Sequence, residues 1–174
     1  MAAVLFARKD SIYKTLPGCD VWDIERDARQ WQGGCPVIAH PPCRAWSKLR
    51  HFANPPAGER ELAIWAVDQV RLWGGVLEHP AGSVLWPFLD LPLPGKRDSH
   101  GGFTLWISQM WFGHRADKPT FLYIVGCQPA DLPSIPFVLG EATHVISSTS
   151  KKNCRTWKPQ VTKAEREHTP RLLA

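Results

Sequence analysis

The sequence predicts an α/β fold, a mostly parallel sheet with helices on both faces, carried by one domain spanning residues 1–174. Short apolar runs separated by turn residues supply the strands. One long segment of helical periodicity lies between two of those runs. The length and the hydrophobic share of 44% suffice for a core without disulfides or metals.

Strands are expected at Val4–Ala7, Val37–Ala39, Gly75–Leu77, Phe103–Ile107 and Phe121–Val125, with Val21–Trp22 as a very short sixth. Between the second and third of the main five, Leu62, Ala66, Val70 and Trp73 recur at helical spacing. Pro55-Pro56 precedes that segment and Gly74-Gly75 ends it, so a helix is expected from Gly58 to Trp73. Strand, helix and strand make a βαβ unit, which gives the Rossmann-like parallel sheet. Pro80 to Gly102 is rich in Pro, Gly and Leu and reads as an ordered, irregular excursion. Ser147 to Lys152 reads as a loop. Thr162 with Glu165 suggests a capping box. Thr169-Pro170 is expected to restart a helix that runs past Ala174.

Composition narrows the function classes. No apolar run reaches the length of a membrane span, about 18 residues or more. The N-terminal apolar run precedes its charges, the reverse of a secretory signal, so a cytoplasmic protein with no membrane partner is expected. Five scattered cysteines argue against a disulfide framework. A net charge of +5 suits a partner carrying phosphates, and nine tryptophans offer surfaces for base stacking.

Two strand ends carry the chemistry. In Val37-Ile38-Ala39-His40-Pro41-Pro42-Cys43, a strand runs into a stiff turn that presents a cysteine. Ligands bind at the carboxyl ends of parallel strands. A helix following Cys43, together with Arg44, would favour the thiolate, which makes Cys43 a candidate nucleophile. The other strand end, Gly75-Val76-Leu77-Glu78-His79-Pro80, places Glu78 in the same crevice as a candidate acid partner. His40, Cys43 and His79 lack the second compact ligand pair of a structural zinc site. The zinc deaminase pattern fails because Trp46 stands where its second cysteine would be. Neither a G-x-S-x-G elbow nor a phosphate-binding glycine loop occurs. No metal is expected.

These motifs resemble the cytosine-5 DNA methyltransferases. Pro41-Pro42-Cys43-Arg44-Ala45-Trp46-Ser47 matches the family's Pro-Pro-Cys turn, and Glu78-His79-Pro80 its Glu-Asn-Val motif. Trp111-Phe112-Gly113-His114-Arg115-Ala116-Asp117-Lys118, followed by Phe121 to Gly126, matches its aromatic-Gly turn, basic stretch and final strand. Glu167-His168-Thr169-Pro170 resembles the start of its last motif. The resemblance implies a compact methyltransferase-like core. In it Cys43 attacks C6 of a pyrimidine, Glu78 protonates N3, and Arg115 or Lys118 contacts the ring oxygen or a phosphate. S-adenosyl-L-methionine is the implied cofactor, with Phe6, Asp23, Pro41 and Thr169 as its implied contacts. The implied substrate is cytosine in DNA, less favourably uracil.

The chain departs from the family in having no glycines in the loop after Phe6, a short segment between Phe6 and Val37, and no target-recognition domain. That shortened form resembles small proteins encoded by bacteriophages, and a protein partner supplying target recognition is an expectation. Phosphate contacts are expected among Arg44, Lys48, Arg50, Lys151, Lys152, Arg155 and Lys158. Two rival readings stand beside the first: modification of a free pyrimidine nucleotide, and an inactive DNA-binding protein on the same scaffold.

Overall fold

The structure is a computed structural model, and it describes residues 1–48, 50–146 and 157–174. Six strands form one sheet: β1 (Ala2–Leu5), β2 (Cys19–Trp22), β3 (Val37–Ala39), β4 (Gly75–Pro80), β5 (Phe103–Ser108) and β6 (Pro119–Val125), in the order β2-β1-β3-β4-β6-β5. All six expected strands are present. The pairs β1–β2, β1–β3 and β3–β4 are parallel, whereas β6 runs against both β4 and β5.

The sheet is therefore mixed, which corrects the expectation of a mostly parallel, Rossmann-like one. The connection from β5 to β6, residues 109–118, is a short turn containing Gly113. A parallel crossover needs a dozen or more residues, so a link this short returns as an antiparallel hairpin. The hairpin inserts β6 between β4 and β5.

Helix α1 (Glu59–Trp73) starts at Gly58 and stops at Gly74, whose N–H closes on the Val70 carbonyl at 2.9 Å. Glu59 and Glu61 sit in its first turn, where the helix dipole favours acids. Its buried residues Ala63, Ala66, Val67 and Val70 join a core with Leu5, Val37, Ala39, Leu77 and Tyr123 from the sheet. Helices α2 (Leu85–Phe88) and α3 (Lys163–Glu167) are short. Helices on both faces do not appear among the described residues, since α1 alone exceeds five residues. The physical reason is chain length: residues 6–18 and 23–36 link the first three strands with only single 3-10 turns. Thr169-Pro170 leads into a turn over 171–173 and not the expected helix. No helix among the described residues is long and apolar enough to cross a membrane.

The strand order creates the place for a site. The chain leaves β1 for β2 on one side and then returns to β3 on the other, so the ends of β1 and β3 part at a topological switch point. Phe6 and His40 stand at those two ends. Phe6 adopts φ +61, a left-handed conformation rare for a bulky residue, and turns the chain where the resembling family has glycine.

Candidate active site

Cys43 follows β3 through the Pro41-Pro42 turn, and Glu78 lies on β4, the neighbouring parallel strand. The Glu78 charge acts on Cys43, and Lys118, the last residue before β6, acts on both. The structure thus brings Cys43, Glu78 and Lys118 together from three separate stretches of sequence.

Two hydrogen bonds fix the Glu78 carboxylate. Gln109, in the turn after β5, donates its Nε2 to Oε1 at 2.9 Å and to Thr120 Oγ1 at 3.2 Å. His40 places Nδ1 3.1 Å from Oε2, while its ring packs on Tyr13 with centroids 5.3 Å apart. Burial pushes Glu78 up, but Lys118 and His40 outweigh it and hold the carboxyl down at about 2. Glu78 is ionised at neutral pH. An ionised carboxylate accepts only, so the His40 Nδ1–H must be the donor. His40 Nε2 and Gln109 Oε1 are then left buried without partners.

Cys43 departs from the expectation of a stabilised thiolate. Burial pushes its thiol up, Glu78 adds to the shift, and Lys118 opposes it. No α-helix begins at Cys43. A single turn follows, in which Trp46 and Ser47 N–H groups bond the Cys43 carbonyl at 3.0 and 2.8 Å. Arg44 turns away to Glu59, with Nε 2.7 Å from Oε1 and 2.8 Å from Oε2. The resting residue is a thiol with a cation nearby.

Lys118 and Arg115 were equivalent in sequence, and the structure separates them. Arg115 donates Nε to Glu165 Oε1 at 2.8 Å on the surface, with His144 beside it. It is therefore corrected from a site residue to a partner of α3. Glu165 is drawn into that pair, so only half of the capping box forms: the Glu165 N–H bonds Thr162 Oγ1 at 3.2 Å.

The residues implied for S-adenosyl-L-methionine do not converge as a set. Asp23 is 4% exposed, with Lys14 Nζ 2.6 Å from Oδ2 and the Glu25 N–H 2.9 Å from Oδ1. It is committed to its own loop and is corrected from a cofactor contact to a structural acid. Pro41 is buried, and Phe6 packs edge-on against Trp65 with centroids 5.8 Å apart. Thr169 is partly buried and adjoins His168, whose Nε2 lies 3.1 Å from Asp10 Oδ2. Arg8 pairs with both Asp10 and Glu167. The C-terminal segment is thus held against the loop that follows β1, as the resemblance of Glu167-His168-Thr169-Pro170 implied.

Among the expected phosphate contacts, Arg44 pairs with Glu59 and Lys158 with Glu141, while Arg50 reaches the Ser47 carbonyl at 3.5 Å. Lys48 crosses Gly82 so closely that a Cβ there would lie 2.4 Å from Lys48 Cε. Lys151, Lys152 and Arg155 lie outside the described residues. Two cavities of about 510 and 420 Å³ are lined by Met110, Asp117 and His144, and by Lys14, Asp20 and Asp23, among others. Neither includes Cys43 or Glu78, and their place in the fold does not carry the chemistry. Gln109, Thr120 and Tyr13 belong to the site although no sequence signal marked them, and His40 had drawn notice only as a metal ligand. No protein-family model and no curated protein matches the chain.

Proposed function

We propose that the chain is a transferase that modifies C5 of a pyrimidine base through a covalent Cys43 adduct, with cytosine in DNA as the substrate the family resemblance names. The observation that supports it most is the placement of Cys43 and Glu78 at the ends of adjacent parallel strands, with the Lys118 charge acting on both. As the thiol gives up its proton, Cys43 Sγ bonds to C6 and the C5–C6 π electrons move into the ring. C5 then attacks the transferred group. Loss of the C5 proton returns an electron pair that expels Sγ and restores the ring. Lys118 lowers the cost of the thiolate, and Glu78 holds the N3 edge of the base.

S-adenosyl-L-methionine would supply an electrophilic methyl group. Because Asp23 is spent on Lys14, the residues after β2 do not fit it in the way the resemblance implies, and the donor is defined here only as a one-carbon electrophile. Mass spectrometry of DNA and nucleotides from cells producing the wild type or Cys43→Ala tests the proposal. A modified pyrimidine present only with the wild type supports it; identical pools reject it.

A second reading, modification of a free pyrimidine nucleotide, draws support from Arg44 and Lys158. Their charges are met by this chain's own acids and not left for a long phosphate backbone. Binding that weakens steeply with salt favours DNA, and a shallow dependence favours the nucleotide.

A further inference from the structure

We infer that the pocket selects a pyrimidine whose N3 carries a hydrogen, a uracil ring, over cytosine. The inference rests on the proposed reading of the Cys43–Glu78 site and names its substrate class. Its ground is the hydrogen-bond pattern around Glu78. Both carboxylate oxygens already accept a bond, Oε1 from Gln109 at 2.9 Å and Oε2 from His40 at 3.1 Å. Gln109 is fully buried and also bonded to Thr120, so its amide is fixed by the hairpin that carries it. His40 is fixed by its contact with Tyr13.

This arrangement keeps Glu78 an acceptor. Each oxygen retains lone-pair capacity, but neither carries a proton to give. The N3 of uracil is a donor and meets such a group directly. The N3 of cytosine is an acceptor and meets it lone pair to lone pair, unless a proton is first added to the base or the acid. Lys118 fits the same choice. Addition of sulfur at C6 of uracil drives negative charge onto the O4 oxygen, which a nearby cation stabilises without proton transfer. Addition to cytosine instead calls for a proton on N3, which Glu78 in this setting does not hold.

A site built around one hydrogen-bond pattern rejects the wrong pattern because its own polar groups are left unpaired. The test uses the full chain and all-adenine oligonucleotides carrying a single deoxyuridine or a single deoxycytidine. Calorimetric titration is expected to show uracil binding about tenfold or more tightly. Glu78→Gln presents an amide N–H as well as an oxygen, so the preference should shrink to parity or reverse; a merely structural role for Glu78 would leave it unchanged. Cytosine binding as tightly as uracil in the wild type overturns the inference. So does a preference unmoved in Glu78→Gln, or the failure of both oligonucleotides to bind. None of these binding results requires an adduct. The covalent reading stands or falls separately, on whether Cys43 activates C5 of either base.

Discussion

Gln109 and Glu78, 31 residues apart, meet at 2.9 Å because the β5–β6 hairpin folds back beside β4 and inserts its second strand there. The acid lies on one strand and the amide that orients it on the next turn of the sheet. Glu78 has only 15% of its side-chain surface exposed, so that orientation is set by protein groups and not by water.

Gln109→Leu should therefore loosen Glu78 and leave it a buried acceptor short of one donor. Stability is expected to fall by about 1–3 kcal/mol, read as a lower midpoint in urea at neutral pH with an unchanged slope. An unchanged midpoint would mean that the amide is not holding the carboxylate.

His79 should give the protein an acid-sensitive window distinct from that of Glu78. The ring is 1% exposed, packs near Trp86, and has no hydrogen-bond partner at either nitrogen. Burial pushes it down to about 4 from 6.5, against the opposing pull of Glu78. The unfolded chain takes up that proton near 6.5 and the folded one only near 4. The stability is thus complete above about 6.5 and lost progressively as pH falls toward 4. Glu78, held at about 2 against 4.5 when unfolded, costs stability only at lower pH, between 4.5 and 2. His79→Phe should flatten the first window and leave the second. Parallel melting profiles for the two proteins between pH 6.5 and 4 would contradict this account.

Gly75 fixes the β3–β4 pairing that brings Cys43 and Glu78 together. It pairs with Val37 and has φ +117, and a Cβ there would lie 2.0 Å from the Val37 carbonyl oxygen. Gly75→Ala is expected to cost about 3 kcal/mol or more. A thermal melt within a degree or two of the wild type would refute the constraint.

These relationships mark what the sequence could and could not disclose. The strand at Val37–Ala39 and the helix ending at Gly74 were legible because burial imposes a period on apolar residues and glycine ends a helix. Strand direction is not periodic. It followed from the short 109–118 link, whose meaning appears only once β6 is seen between β4 and β5. Pro41-Pro42-Cys43 and Glu78 stood out as chemistry at strand ends. The thiol state of Cys43 did not, because it depends on burial and on Arg44 choosing Glu59. Gln109 is one glutamine beside a serine, and nothing in its neighbours announces that it is buried.

Lys118 and Arg115 provide a direct comparison, since both belong to the same basic stretch. Lys118→Met removes the cation acting on Cys43 and Glu78 and should slow reaction at Cys43 by roughly a hundredfold. Arg115→Met breaks only a surface pair with Glu165 and should leave the rate unchanged. Single-turnover kinetics of the two variants would decide it, and equal losses would place Arg115 back in the site.

The most direct measurement of the central claim is exchange of the C5 hydrogen of a pyrimidine oligonucleotide in heavy water, followed by proton NMR. Attack of Cys43 on C6 makes C5 basic enough to take up deuterium, and reversal then releases the base in exchanged form, so no donor is required. The wild type should catalyse exchange and Cys43→Ala should not. If neither a uracil nor a cytosine oligonucleotide exchanges with the wild type, or if Cys43→Ala exchanges as fast, Cys43 is not the nucleophile.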